Sequence, residues 1–311
     1  MVRVSHALIA ALSALVLLLV GLGLWLWTPD RPRSELEARY LASPGDLITL
    51  GGMRIHVRDT GPREAQAVVL LHGFGSSLHT WEPWAEALSA NRRVVRIDLP
   101  GAGLSDPDPD RNYRTGHEVA LLVALLDALS IGQADLVGHS MGGKLAWAMA
   151  AAHPDRVRRL VLVSPDGYPP PGATLGKEPD VSVMLKAMRF ALPRSMLRAN
   201  LAIAYADPAR FDDATLERYW DLMRAPGVRD AMIARLEQAV PEDPEPALAR
   251  ITAPVLLLWG DKDAMIPISN AEDYRRVLKD VTLVTLPDLG HVPHEEAPER
   301  SLPPVAAFLD R

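Results

Sequence analysis

Three residues of this chain have the types, order and settings that acyl-transfer chemistry asks for. Ser140 lies in Gly138-His139-Ser140-Met141-Gly142, between an apolar run (Ala134-Asp135-Leu136-Val137) and a helix-forming run from Lys144 to Ala150. A strand that runs straight into a helix needs a sharp turn. The serine at its apex is strained and exposed, and the flanking glycines let the two elements pass closely. By composition alone a G-x-S-x-G match arises about 0.1 times in a chain this long, so the setting carries more weight than the motif. A serine hydroxyl is a poor nucleophile alone and needs a base and an oxyanion site.

The candidate base is His291 in Leu289-Gly290-His291-Val292-Pro293, a loop after the last apolar run. An arbitrary one of the nine histidines would be a surface-loop residue, but this placement after a strand end favours a catalytic role. His294 and Glu295 stand close by, yet Pro293 breaks the helix that would present the three as metal ligands, so no metal is expected. The candidate acid is Asp263 in Gly260-Asp261-Lys262-Asp263, with Asp261 as its local rival; either could simply form a turn. Two backbone amides complete the set. Met141 N–H would sit at a helix start, and Phe74 N–H would come from the loop His72-Gly73-Phe74-Gly75. His72 and His139 flank the site and read as structural.

The elements that must hold these groups are legible as runs. Eight strands are expected at 47–50, 53–59, 68–71, 93–97, 134–137, 160–163, 254–259 and 281–286. The first two are joined by Gly51-Gly52, a hairpin signal. Helices are expected over 81–88, 119–129, 144–150, 270–278 and 298–309, with capping boxes at Thr115–Glu118 and Ser269–Glu272. Strands alternating with helices predict an α/β fold, a mostly parallel sheet covered on both faces. Residues 165–250 are too long for a crossover loop. They read as a helical cap, with helices near 183–191, 214–223 and 231–240, inserted between the core segments 46–164 and 251–311. Met184, Leu185, Met188, Phe190 and Leu192 either line an acyl pocket or pack the cap.

The N-terminal part is different. Residues 7–27 carry no charge and are almost wholly apolar, long enough to cross a hydrocarbon core of about 30 Å, with Trp25 and Trp27 at one end. The run is longer than a usual signal-peptide core and does not end in small residues. Residues 1–30 are therefore read as a single-pass membrane anchor, against a cleaved signal or a buried helix, and residues 31–45 as a polar linker. Counting Arg3 against Arg31, Arg33 and Arg39 places the following domain inside. The short amine-bearing tail resembles an N-in signal anchor and places it outside, the side taken here. A net charge of −6 without a basic stripe argues against nucleic acid as a partner. The absence of cysteine excludes disulfides and thiolate chemistry.

Together the motifs resemble the α/β-hydrolase superfamily, in the branch with His-Gly-x-Gly after the third strand. They are His72-Gly73-Phe74-Gly75, Asp98-Leu99-Pro100-Gly101, Gly138 to Gly143, His153 to Val157, Gly260 to Asp263 and Gly290-His291-Val292-Pro293, in the family's order over about 46–310. The resemblance implies a Ser140–Asp263–His291 triad, Phe74 and Met141 as oxyanion positions, and no cofactor. It implies supporting roles for Asp98 and Arg156. Serine at position 140 argues against the similar epoxide hydrolases and haloalkane dehalogenases, which place aspartate there. Carbon–carbon hydrolases usually have asparagine where His139 stands. The expected activity is hydrolysis of a small carboxylic ester with an apolar acyl group. Carbon–carbon or amide hydrolysis is the alternative within the class, and a non-catalytic ligand-binding protein the alternative outside it.

Overall fold

The computed structural model describes residues 6–170 and 172–311; Arg3, on which the orientation argument turns, lies outside them. Helix α1 (His6–Leu26) leads into a short α2 (Arg33–Tyr40). The hairpin β1 (Leu47–Leu50) and β2 (Met53–Thr60) follows, then β3 (Ala67–Leu71), α3 (Glu82–Leu88), β4 (Arg93–Ile97), α4 (Thr115–Ala128), β5 (Ala134–His139), α5 (Met141–Ala152) and β6 (Val157–Val163). The eight strands form one sheet in the order β1-β2-β4-β3-β5-β6-β7-β8, and only the β1–β2 and β2–β4 pairs are antiparallel.

Why the sheet is covered on both faces is visible in its alternation. Val69, Leu71, Leu136, Leu160 and Leu162 point to one side, where they pack against α4 and α5 through Leu122, Leu126, Leu145 and Trp147. Val68, Leu70, Val137, Val161 and Val163 point to the other, against Trp81, Trp84 and Leu88 around α3. Strands buried on both faces read as continuous apolar runs, as these do.

Between β6 and β7 (Val255–Gly260) lies the helical insertion: α6 (Val183–Lys186), α7 (Arg194–Ala202), α8 (Asp213–Met223), α9 (Val228–Glu237) and α10 (Glu245–Leu248). The remaining elements are α11 (Asn270–Val277), β8 (Val281–Leu286), α12 (Pro293–Glu296) and α13 (Pro298–Leu309). The insertion has its own apolar centre, in which Leu197, Phe211, Leu216 and Leu222 meet Leu36 from α2.

Four local expectations change. Residues 31–45, read as a linker, hold α2, a helix fixed to the insertion. Buried Asp221 on α8 accepts from Arg31, from Arg39 at 2.6 Å and from the Tyr40 hydroxyl at 2.9 Å. Neither capping box forms. The cap position of α4 is Arg114, and Glu118 instead pairs with Arg235 at 2.5 Å; Ser269 caps α11 without a side-chain bond. The helix expected over 81–88 opens with a 3-10 turn at Leu78–Trp81. In the insertion, 183–191 splits into α6 and a 3-10 turn, and α7 is an element the sequence reading did not separate.

Candidate active site

Ser140 stands at the junction of β5 and α5 with φ 52° and ψ −120°, a backbone conformation that L residues adopt only at a cost of order 1–3 kcal/mol. The tightness of the turn is set by its glycines. A Cβ on Gly142 would lie 2.4 Å from Leu71 O, and one on Gly138 would lie 2.3 Å from Gly142 O. Only glycine lets α5 start that close to β3 and β5.

The turn delivers Ser140 to the wall of a cavity of about 300 Å³, together with Phe74 and Met141. Met141 N–H is the first amide of α5, and Phe74 N–H lies in the loop after β3. Among the described residues neither is donated to a protein acceptor. Gly73 brings that loop against the serine turn, since a Cβ there would fall 2.7 Å from the His139 ring and 3.2 Å from Ser140 Cβ. Two unspent amides and a helix start beside one hydroxyl make a site for negative charge.

His291 is buried in the turn between β8 and α12. Its Nδ1 donates to Asp263 Oδ2 at 2.8 Å, which leaves Nε2 as the basic nitrogen. The other Asp263 oxygen accepts the amides of Met265 and Ile266, each at 2.9 Å, so the carboxylate is fixed at both ends. Asp261, the rival, accepts from Asp288 N–H at 2.7 Å and forms a turn. Among the described residues Ser140 Oγ and His291 share no hydrogen bond; catalytic hydrogen bonds are often long before substrate binds.

His139 connects the two halves. Its Nε2–H donates to the His291 carbonyl at 2.9 Å, and its ring lies 4.6 Å from those of both His291 and His294. Burial, then the neighbouring His294 and His291, push His139 well below the ordinary histidine range; burial likewise lowers His294 to about 3. Both rings stay neutral, so the base loop gains packing without added positive charge. Two further hydrogen bonds hold the base loop. Glu296 accepts from Gly290 N–H at 2.7 Å, and His291 N–H donates to Ala204 O at 2.7 Å. Arg235 is absent from the sequence reading, and Glu118 enters it only as a cap residue, because nothing local announces a contact made 117 residues away.

The rest of the cavity wall is mixed. Tyr113, Glu118, Lys144, Arg235 and Gln238 stand beside Leu145, Leu236 and Val240. The apolar series from Met184 to Leu192 does not line it. Leu192 packs in the centre of the insertion with Met188 against it, and Met184, Leu185 and Phe190 are exposed on the outside.

Comparison with known proteins shows the family. The model of the alpha/beta hydrolase fold matches residues 66–298. The chain is 33% identical over 84% of its length to the dihydrolipoyllysine-residue acetyltransferase component of the acetoin cleaving system of Pseudomonas putida, covering 68% of that protein. It is 31% identical over 73% of its length to a 2-hydroxymuconate semialdehyde hydrolase of Pseudomonas sp. strain CF600, covering 80% of it. Among solved structures, a membrane phospholipase A described as a bacterial virulence factor superposes with a TM-score of 0.72 at 26% identity, over 96% of this chain and 97% of that one.

Proposed function

Because this chain belongs to the alpha/beta hydrolase fold family, we propose that it is a membrane-anchored serine hydrolase of carboxylic esters, with Ser140, His291 and Asp263 as its triad. The observation that carries this reading is the strained Ser140 on the cavity wall beside the unspent Phe74 and Met141 amides, with the His291–Asp263 pair joined to the serine turn through His139.

In this mechanism His291 Nε2 takes the Ser140 proton as Oγ attacks the ester carbonyl. The Phe74 and Met141 amides stabilise the tetrahedral oxyanion. Collapse breaks the bond to the alkoxide, which takes the proton from His291 and leaves as alcohol. Water then repeats the sequence on the acyl-enzyme and releases the acid. Asp263 holds the imidazole in the Nδ1–H form and stabilises its cation.

The membrane part of the proposal rests on α1. Residues 8–26 form a helix with mean hydropathy 2.6, and none of its described residues is buried in the protein. A likeness to the membrane phospholipase that spans 96% of this chain must take in part of that helix, and it favours an ester of an amphiphilic lipid as substrate. The other family members supply a second reading, carbon–carbon bond hydrolysis, through the 2-hydroxymuconate semialdehyde hydrolase.

Turnover of p-nitrophenyl esters of graded chain length by the wild type and Ser140→Ala tests both. Absence of ester turnover at every length, with turnover of 2-hydroxymuconate semialdehyde, would replace the first reading by the second. Activity that survives Ser140→Ala would remove the serine from either.

A further inference from the structure

The insertion carries its exposed apolar side chains next to the end of α1. Trp27, the residue after α1, stacks on Phe190 with ring centroids 6.0 Å apart. Thr28 N–H donates to Phe190 O at 2.9 Å, and Thr28 Oγ1 accepts from Leu192 N–H at 3.0 Å. Val183, Met184, Met196 and Ile203 surround this junction in sequence and are all at least half exposed, Val183 at 84%. A cluster of this kind on a water-facing surface is costly and marks an interaction site.

The charges of the same segment are paired within the insertion. Residues 183–203 contain Lys186, Arg189, Arg194 and Arg198 and no acidic residue. Each of these cations reaches a carboxylate of α8 or α9, with Lys186–Glu237 at 3.0 Å, Arg189–Asp230 at 3.4 Å, Arg194–Glu217 at 3.3 Å, and Arg198 on Asp213. The junction is also fixed in direction. Arg229 holds Asp30 at 2.6 Å, and Arg31 N–H donates to Arg224 O at 2.8 Å.

We propose that residues 183–203 are a second membrane contact, seated in the interfacial layer of the leaflet from which α1 emerges. The occupant is the bilayer itself. The patch is continuous with the apolar helix through the Trp27–Phe190 stack, and amphipathic segments of this kind bury their apolar face about 5–10 Å into the headgroup boundary. Its consequence for the site follows from α9. That helix gives Arg235 and Leu236 to the cavity and Asp230 and Glu237 to the membrane-facing segment, so a single helix separates the two. The proposal rests on reading α1 as an anchor, and its test separates the two.

The chain has no cysteine, so single cysteines can be labelled cleanly in the full chain. Met184→Cys, Ile203→Cys, Leu12→Cys in α1 and Glu272→Cys on α11 would each carry an environment-sensitive fluorophore after reconstitution into phosphatidylcholine vesicles. Lipids with a spin label near the headgroup should quench positions 184 and 203 severalfold more than 272, and aqueous iodide should do the reverse. Iodide access at 184 and 203 equal to that at 272, with position 12 lipid-shielded, would overturn the second contact and leave the anchor standing. Position 12 open to iodide would overturn the anchor and the contact together. Shielding of 184 and 203 from iodide without lipid quenching would mean that a protein surface covers them, and would overturn the bilayer as occupant.

Discussion

Among the described residues two buried histidine–aspartate pairs have nearly the same geometry, and only one of them packs, through His139, against the serine turn. His291 Nδ1 meets Asp263 Oδ2 at 2.8 Å, and His56 Nδ1 meets Asp98 Oδ2 at 2.7 Å. The difference lies in what the rest of each pair touches. Asp98 also accepts from Leu78 N–H at 2.7 Å and Leu104 N–H at 2.9 Å, so it fastens the loops after β3 and β4 to β2. His56 and Asp98 are completely buried, and His56 Nε2 meets no partner among the described residues. Burial alone would raise the Asp98 pKa, but His56 and its other histidine neighbours more than offset this and hold it well below the carboxylate range. The same two side chains serve structure in one place and are suited to proton transfer in the other. What distinguishes them is their neighbourhood: the His291 pair joins the serine turn through His139, whereas the His56 pair is closed in by two loops.

The largest effect that could break this contrast is at the serine. Ser140→Ala should lower kcat by roughly 10⁴–10⁶-fold in an ester assay, since removing one member of a triad removes most of its action. Its thermal midpoint should stay within a few degrees of wild type, because the hydroxyl makes no hydrogen bond among the described residues. Next comes the acid. Asp263→Asn should cost about 10⁴-fold in kcat by favouring the wrong imidazole tautomer, again with little change in stability.

Asp98→Ala should do the opposite. It strands two buried amides and one imidazole, a loss of about 3–5 kcal/mol by analogy with breaking a buried ion pair. A chain of this size should show that as a fall of about 10 °C in thermal midpoint. Activity per folded molecule, measured below the new midpoint, should change less than tenfold. A variant that lost activity without losing stability would erase the distinction between the two pairs.

The parts that the sequence disclosed and the parts it hid divide along the same line of local against distant contact. Strand β8 and helix α13 are found where the residue pattern places them, because burial of a strand or of one helix face writes itself into consecutive residues. The serine turn and the two loops are legible for the same reason, each being a strand end with glycine beside it. Residues 31–45 mislead because their charges look solvated, although Arg31, Arg39 and Tyr40 converge on one buried aspartate some 180 residues on. Glu118 reads as a cap residue and is instead half of a buried pair with Arg235. Helix α7 is hidden by its own outer face. Leu197 points inward and Met196 outward, a pattern that breaks the expected alternation if the outside is taken to be water.

The smallest predicted effect concerns pH, and it sharpens the contrast by its window. His294 has its pKa lowered by burial to about 3, against 6.5 unfolded. Between these values the unfolded chain binds a proton that the folded chain refuses, so stability rises with pH across this window and is lost as pH falls from 6.5 toward 3. His72, His79 and His139 are shifted in the same direction, mainly by burial. The carboxylate of Asp98 begins to matter only below its unfolded value of 3.8, where its protonation removes stability. Acid destabilisation should therefore begin near pH 6.5 and steepen below 4. His294→Gln keeps a partner for Thr80, whose hydroxyl lies 3.1 Å from Nε2, and removes one titrating group. Between pH 4 and 6 the slope of unfolding free energy against pH should drop by about 1.4 kcal/mol per unit, the value for one proton. An unchanged slope would mean that the neutral ring at 294 is not among the groups that resist protonation, and that the packing around His139 tolerates charge.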